Sequence, residues 1–270
     1  MNQGVSIAKI ARNGAWYVAE GRIRQMSKWK GIITVVAIGN PLFYLIAIGV
    51  GVGVLVAENS GTSGTGGVEY ILFIAPALMA NTALLGAMDE TLFPVLEGFK
   101  WRKMFYATNS TPITGPQIAL GVFIAAIFRT AFSVLIYWAL LVAFGVLSFT
   151  DSWFANVVSI YGGAAFGALM MAIVAGVTKD DYFLTVLGRL VITPLFLFSG
   201  TFFPLTNMPI YLQWIGWISP LWHTTELGRY FAYDHSISGL MLFVHFAFLT
   251  ALLVIGLALA NRRFTTRLLK

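Results

Sequence analysis

The chain has 270 residues, 58% of them hydrophobic and only 10% charged, with a mean hydropathy of +0.81, a balance that excludes an ordinary soluble globular domain. The absence of cysteine excludes disulfides, thiol catalysis, Cys-ligated zinc and iron–sulfur clusters. A net charge of +6 does not point to nucleic acid, because Lys and Arg flank apolar runs and form no basic strip interleaved with aromatics.

A helix needs about 20 apolar residues to cross a hydrocarbon core roughly 30 Å thick. The chain therefore has room for about six spans and short loops, but not for a separate soluble catalytic domain of ordinary size. The expected class is all-α, a polytopic membrane protein with about six transmembrane helices.

Residues 1–30 set Ile7, Ile10, Val18, Ile23 and Met26 among Lys9, Arg12, Arg22, Arg24 and Lys28. That mixture predicts an amphipathic helix lying in the cytoplasmic headgroup layer, with a solvated tail as the alternative. The membrane domain is expected over 31–261. Its first span covers about 31–56 and is followed by the flexible polar loop 58–67. The second covers about 68–92, and its Asn81, Asp89 and Glu90 read as a helix emerging into water. Residues 93–116 carry Glu97, Lys100, Arg102, Lys103 and a Thr111-Pro112 break, which predicts a charged loop holding at least one short helix.

The third span, about 117–147, measures roughly 46 Å at helical rise and overshoots the bilayer, so Arg129 is expected to snorkel toward the cytoplasmic side. The fourth, about 153–177, contains Gly163 and Gly167, a spacing that admits close approach of another helix. A short charged loop, 178–182, leads to a fifth span running from 183 to near Gly200, with Pro194 expected to kink it. Residues 202–235 are rich in proline and aromatics, among them Phe202, Phe203, Trp214, Trp217 and Trp222. They predict a re-entrant or interfacial hairpin on the outer side, because irregular backbone at membrane depth survives only when protein or a cavity covers it. A sixth span, about 236–260, ends in the basic tail 262–270.

Of the 17 Lys and Arg residues, Arg229 alone falls on the outer side when the N-terminus is placed inside, and Arg129 and Arg189 lie within spans. The positive-inside rule then puts both termini and the 93–116 loop in the cytoplasm, in agreement with an even number of spans. No phosphate-binding G-x-x-x-x-G-K-[ST] motif occurs, so ATP hydrolysis is not expected in this chain. His223, His235 and His245 lack metal-ligand spacing on one helix and read as packing or interface residues. His223 with Glu226, three residues apart, is the acid–base pair that a membrane-embedded enzyme would use; an aromatic belt with a polar cap is the plainer reading. Glu226 and Arg229 share a helix face and are expected to bond each other.

Two stretches resemble a known family. LEGFKWRKMFYATNSTPITGPQIALG, with Glu97, Lys100, Arg102, Lys103, Thr111, Pro112 and Gly121, is similar to the segment after the second span of ABC-2 permeases. SGTFFPLTNMPIYLQWIGWISPLWHTTELGR, with Ser199, Gly200, Phe203, Pro204, Pro209, Pro220, Leu221, Glu226 and Arg229, resembles their C-terminal signature. The wording of both is most like the lipo-oligosaccharide (nodulation-factor) exporter permeases, and next most like the daunorubicin-type drug exporter permeases.

The resemblance implies a bacterial inner-membrane permease subunit that moves a lipid-linked glycan, glycolipid or other amphiphile. It also implies a second permease copy or related permease, and two cytoplasmic ABC ATPase subunits that hold ATP and Mg; no cofactor is expected in this chain. The segment 96–105 would seat on the ATPase through Glu97, Lys100, Arg102 and Lys103. The outer gate or path would be formed by Phe202, Phe203, Trp214, Trp217, Trp222, Glu226 and Arg229. A multidrug exporter permease and a membrane-embedded enzyme are the alternatives.

Overall fold

A computed structural model of the chain describes residues 7–62, 65, 67–178 and 182–269, and among them there are helices and no strands. Helix α1 (Ile7–Ser27) is followed by a turn at Lys28 and Trp29. Helix α2 (Lys30–Tyr44) then widens into π-helical winding over Leu45–Val52 and resumes as α3 (Gly53–Ser60). Next come α4 (Tyr70–Leu96), a π-helical turn (Glu97–Trp101), α5 (Met104–Asn109), α6 (Gly115–Ala143) and α7 (Trp153–Gly176). The broken run 183–198 comprises α8 (Phe183–Val186), a π-helical stretch (Leu187–Ile192) and α9 (Thr193–Phe198). The chain closes with α10 (Ile210–Trp217), α11 (Pro220–Tyr233) and α12 (Gly239–Leu268).

Among the described residues, five helices are long and apolar enough to cross a membrane, namely Lys30–Val56, Tyr70–Trp101, Gly115–Ala143, Trp153–Gly176 and Gly239–Leu268. The fifth expected span is shorter. The run 183–198 is about 24 Å long at helical rise and stops at Ser199 and Gly200, where Gly200 takes φ of +69°. Pro194 sits at the start of α9, where π-helical winding gives way to α-helix. Ile192 and Thr193 keep right-handed helical backbone, so Pro194 lies within a continuous helical run and removes one backbone hydrogen bond from it.

The bundle is built on α4, α6 and α7. Gly163 lies so close to α4 that a Cβ there would fall 2.7 Å from the Ala83 carbonyl oxygen, and at Gly167 it would fall 3.0 Å from the Ala87 methyl. In lipid the apolar surface of a helix gains nothing from leaving water, so dispersion between closely approaching backbones holds the pair together. Helix α12 covers the other face of α7, with Leu249, Ala260 and Phe264 fully buried.

The chain runs back and forth between two ends. Thr114 and Gln117 form a capping box at the start of α6, and the Gln117 amide also donates to the Ala11 carbonyl of α1. Arg263 and Arg267 at the far end of α12 donate to the carbonyls of Ala172, Ala175 and Val177, which close α7; cations there complement the helix dipole. Thus α1, the end of α4, the start of α6 and the end of α12 share one end of the bundle, here called the basic end. The start of α4, the end of α6 and the start of α12 lie at the opposite end, beside the α10–α11 hairpin.

Three boundaries differ from the sequence reading. The second span continues as helix to Trp101, the 93–116 loop shrinks to short connections around α5, and α12 carries Arg262, Arg263 and Arg267 on the helix itself. The reason is tertiary. Aromatic packing at the basic end stabilises helical turns that their own polar composition does not favour. Lys179 and Lys270 lie outside the described residues.

Candidate functional site

At the basic end, the segment after α4 is a docked turn. Arg102 N–H donates to the Glu97 carbonyl at 2.8 Å, closing the π turn, and Lys103 takes a left-handed conformation with φ of 55°. A non-glycine residue held there costs of order 1 kcal/mol or more, so the surroundings must fix it. The phenyl groups supply that constraint. Phe99 meets Phe105 edge-on at 5.0 Å and Phe264 of α12 at 4.8 Å, while the Arg267 guanidinium lies 4.3 Å above the Phe99 ring. Gly98 leaves room for this, since a Cβ there would sit 2.3 Å from the Phe105 ring.

The residues named from sequence separate within this turn. Glu97 faces inward and bonds Arg102 at 3.0 Å and Arg22 of α1 at 3.6 Å. Lys100 is half-buried, and Arg102 and Lys103 are exposed. Trp101 and Met104, which composition alone did not single out, stand 57% and 54% exposed at the tip. An apolar pair flanked by cations is the surface the segment offers a partner.

Arg22 also reaches Glu90 at 3.3 Å, and Glu90 accepts from Arg129 of α6 at 2.5 Å. Asp89 faces the same Arg129 at 3.9 Å. A chain of charges therefore runs from the turn at Glu97, through α1, into the interior of the bundle. One expectation is corrected here. Glu90 does not emerge into water but is 6% exposed, because Arg22 and Arg129 both reach it. A carboxylate so paired keeps its charge without water. The signal was present in the sequence, since an Arg inside a span calls for a partner and Asp89 and Glu90 are adjacent acids in the neighbouring second span.

Beside Asp89 and Arg129 a cavity of about 290 Å³ opens between α2, α4 and α6. Asn81, Thr82, Ser133 and Tyr137 complete its polar wall, and Ile33, Val36 and Tyr44 of α2 face them.

At the opposite end the hairpin sorts its residues differently. Helix α11 lies between α4, α7 and α12 and is mostly buried. Its Arg229, 1% exposed, bonds Glu226 at 2.8 Å, donates to the carbonyls of Phe73 (3.2 Å) and Gly200 (2.8 Å), and stacks 3.7 Å over the Phe73 ring. Trp222 packs inward with Leu205 and Met208. Trp214 and Trp217 point outward, 53% and 49% exposed, Phe203 is 38% exposed, and Phe202 meets Phe196 edge-on. The seven residues expected at an outer gate are thus divided between the interior and the exposed surface.

His223 shares a hydrogen bond with His245 at 2.7 Å and with the Trp217 carbonyl at 3.0 Å, whereas Glu226 is engaged by Arg229 and His235. The two groups an embedded enzyme would need are therefore committed to different partners.

With this geometry in place, comparison with known proteins is informative. A family model described as ABC-2 type transporter matches residues 15–233. The chain belongs to the ABC-2 type transporter family. The permease is 27% identical over 226 residues to Nodulation protein J of Rhizobium meliloti (strain 1021), covering 83% of each chain. It is 28% identical over 237 residues to Nodulation protein J of Rhizobium leguminosarum bv. trifolii, covering 87% of each. A probable multidrug ABC transporter permease of Escherichia coli (strain K12), YbhR, is 27% identical over 165 residues, 60% of this chain and 44% of that one. No solved structure matches. The permease is a multi-pass membrane protein and a transport subunit, and its family implies pairing with a cytoplasmic ABC ATPase.

Proposed function

We propose that the permease carries amphiphiles with a glycan headgroup out of the cytoplasm or inner leaflet of a bacterial inner membrane, driven by ATP hydrolysed on two separate ATPase subunits. A second permease copy, or a related permease, completes the path, and both termini face the cytoplasm. The family match over residues 15–233 carries this reading. The Nodulation protein J relatives favour the glycan class over the drug class because they cover far more of the chain than the multidrug relative does.

The geometry supplies a mechanism of coupling. The tip formed by Trp101, Arg102, Lys103 and Met104 meets the ATPase, which holds ATP and Mg. Its displacement reaches α12 through Phe99 and Phe264 and reaches α1 and α4 through Arg22. Chemistry stays on the ATPase, and the permease supplies the path.

The test is reconstitution of the permease with a candidate ABC ATPase partner that co-purifies with it, with export and ATP hydrolysis followed together. Glu97→Lys sets a third cation against Arg22 and Arg102. It should leave membrane insertion and folding intact while reducing substrate-stimulated hydrolysis at least ten-fold. Restoring the Glu97–Arg102 pair by charge exchange should recover only part of the activity, because Arg22 keeps Glu90 but then faces a cation at position 97. Unchanged export in Glu97→Lys would reduce the segment to a connector.

A further inference from the structure

The cavity between α2, α4 and α6 has no role in the coupling path, and its wall has an unusual composition for membrane depth. Arg129 lies about 21 Å along α6 from Gly115, well inside the bundle. Tyr137 lines the cavity, is fully buried, and its hydroxyl has no hydrogen-bond partner among the described residues. An unpaired buried hydroxyl costs roughly 1–3 kcal/mol, so evolution toward stability alone would favour phenylalanine there. Ser133 and Asn81, each 8% exposed, face the same space. Asp89 adds a carboxylate whose side chain is 45% exposed and whose cation is 3.9 Å away. At the rim, Val36 and Leu85 are 46% and 37% exposed, so the cavity reaches the flank of the bundle where lipid lies.

We propose that this cavity is a lateral site that holds the uncharged, hydroxyl-rich headgroup of an amphiphile while its chain remains in lipid beside α2. The assignment rests on the glycan-amphiphile reading above and locates its headgroup. Three observations select that chemistry. Arg129 and Asp89 both line the wall and face each other at 3.9 Å, so it carries one charge of each sign and favours neither a cationic nor an anionic headgroup. Hydroxyl groups, by contrast, donate to Asp89 and the Asn81 carbonyl and accept from Tyr137, Ser133 and the Asn81 amide. About 290 Å³ is at the lower limit of ligand pockets, which begin near roughly 300 Å³. It suits a sugar headgroup and leaves no space for the chain, and the ring of Tyr44, a residue 39% exposed, offers an apolar face to a sugar ring.

The experiment uses the full-length permease in nanodiscs of phosphatidylcholine, whose zwitterionic headgroup is then present in excess as a competitor. The probe is a decyl maltoside bearing a diazirine in its alkyl chain, and labelled peptides are mapped by mass spectrometry. Label should concentrate in 33–44 and 78–89, be displaced by unlabelled decyl maltoside, and resist decyltrimethylammonium at equal concentration. Tyr137→Phe should lower that labelling at least five-fold with an unchanged or higher Tm, whereas a packing role alone would leave labelling intact. Ser133→Leu, which fills the cavity, should abolish it.

Label spread evenly over the lipid-facing surface, equal displacement by decyltrimethylammonium, or full labelling of Tyr137→Phe would overturn the site. Mapped, displaceable labelling in a permease whose reconstituted complex exports no glycolipid would leave the site standing and remove the substrate reading. Normal glycolipid export by Tyr137→Phe and Ser133→Leu would do the reverse.

Discussion

Arg229 is the residue whose surroundings differ most from what its type suggests. A guanidinium with 1% exposure survives at membrane depth because every side of it is answered: Glu226 by charge, the Phe73 and Gly200 carbonyls by hydrogen bonds, and the Phe73 ring by its face. Its role is to fasten the hairpin to the start of α4. Removing one member of such a pair costs about 3–5 kcal/mol, because the other is left charged and buried. Arg229→Met should therefore lower the Tm sharply, while Glu226→Gln with Arg229→Met should recover much of the loss. Thermal unfolding of the two single variants and the double variant in one detergent checks this. Additive losses would mean that the two residues act separately.

At the scale of elements, the α10–α11 hairpin combines an anchor with an exposed arm. Helix α10 is too short to span a bilayer and presents Ile210, Tyr211, Trp214 and Trp217 outward, the composition of an interfacial belt. Helix α11 is held by Arg229 and by Trp222, which packs on Leu205 and Met208. Trp222→Ala should thus cost about 3–5 kcal/mol, as large-to-small changes in cores do. Trp214→Ala and Trp217→Ala should shift Tm little. If the outer rings also meet substrate, these two variants should weaken substrate-stimulated hydrolysis more than basal hydrolysis. Melting curves alongside both rates separate an anchor from a gate, and equal loss of both rates at unchanged Tm would favour neither.

For the whole molecule, the alternation of ends makes a topological prediction. The segment 97–109, α1 and the end of α12 share one end, and the chain between α3 and α4 lies at the other. Cysteines introduced at Thr62 and Ser110 into this naturally cysteine-free chain should be labelled from opposite faces of the membrane, Thr62 by an impermeant reagent in intact cells and Ser110 only after permeabilisation. Labelling of both from outside would overturn the assignment of the basic end to the cytoplasm.

Class and approximate span number were legible in the chain itself, because length of apolar run and placement of Lys and Arg are local properties fixed by bilayer thickness and by membrane charge bias. The Gly163 and Gly167 spacing was legible for the same reason, although its partner, α4, was not. What only the tertiary structure decided is the fate of the charges. Asp89, Glu90 and Arg129 read as ends of helices or as snorkelling groups until α1 and α6 bring Arg22 and Arg129 against α4. Trp222 and Trp214 look alike in sequence yet face inward and outward. Such outcomes depend on which helix lies alongside, over separations as long as the 68 residues between Arg22 and Glu90. Hydropathy reports the cost of placing a residue in lipid and carries no information about the partner that removes that cost.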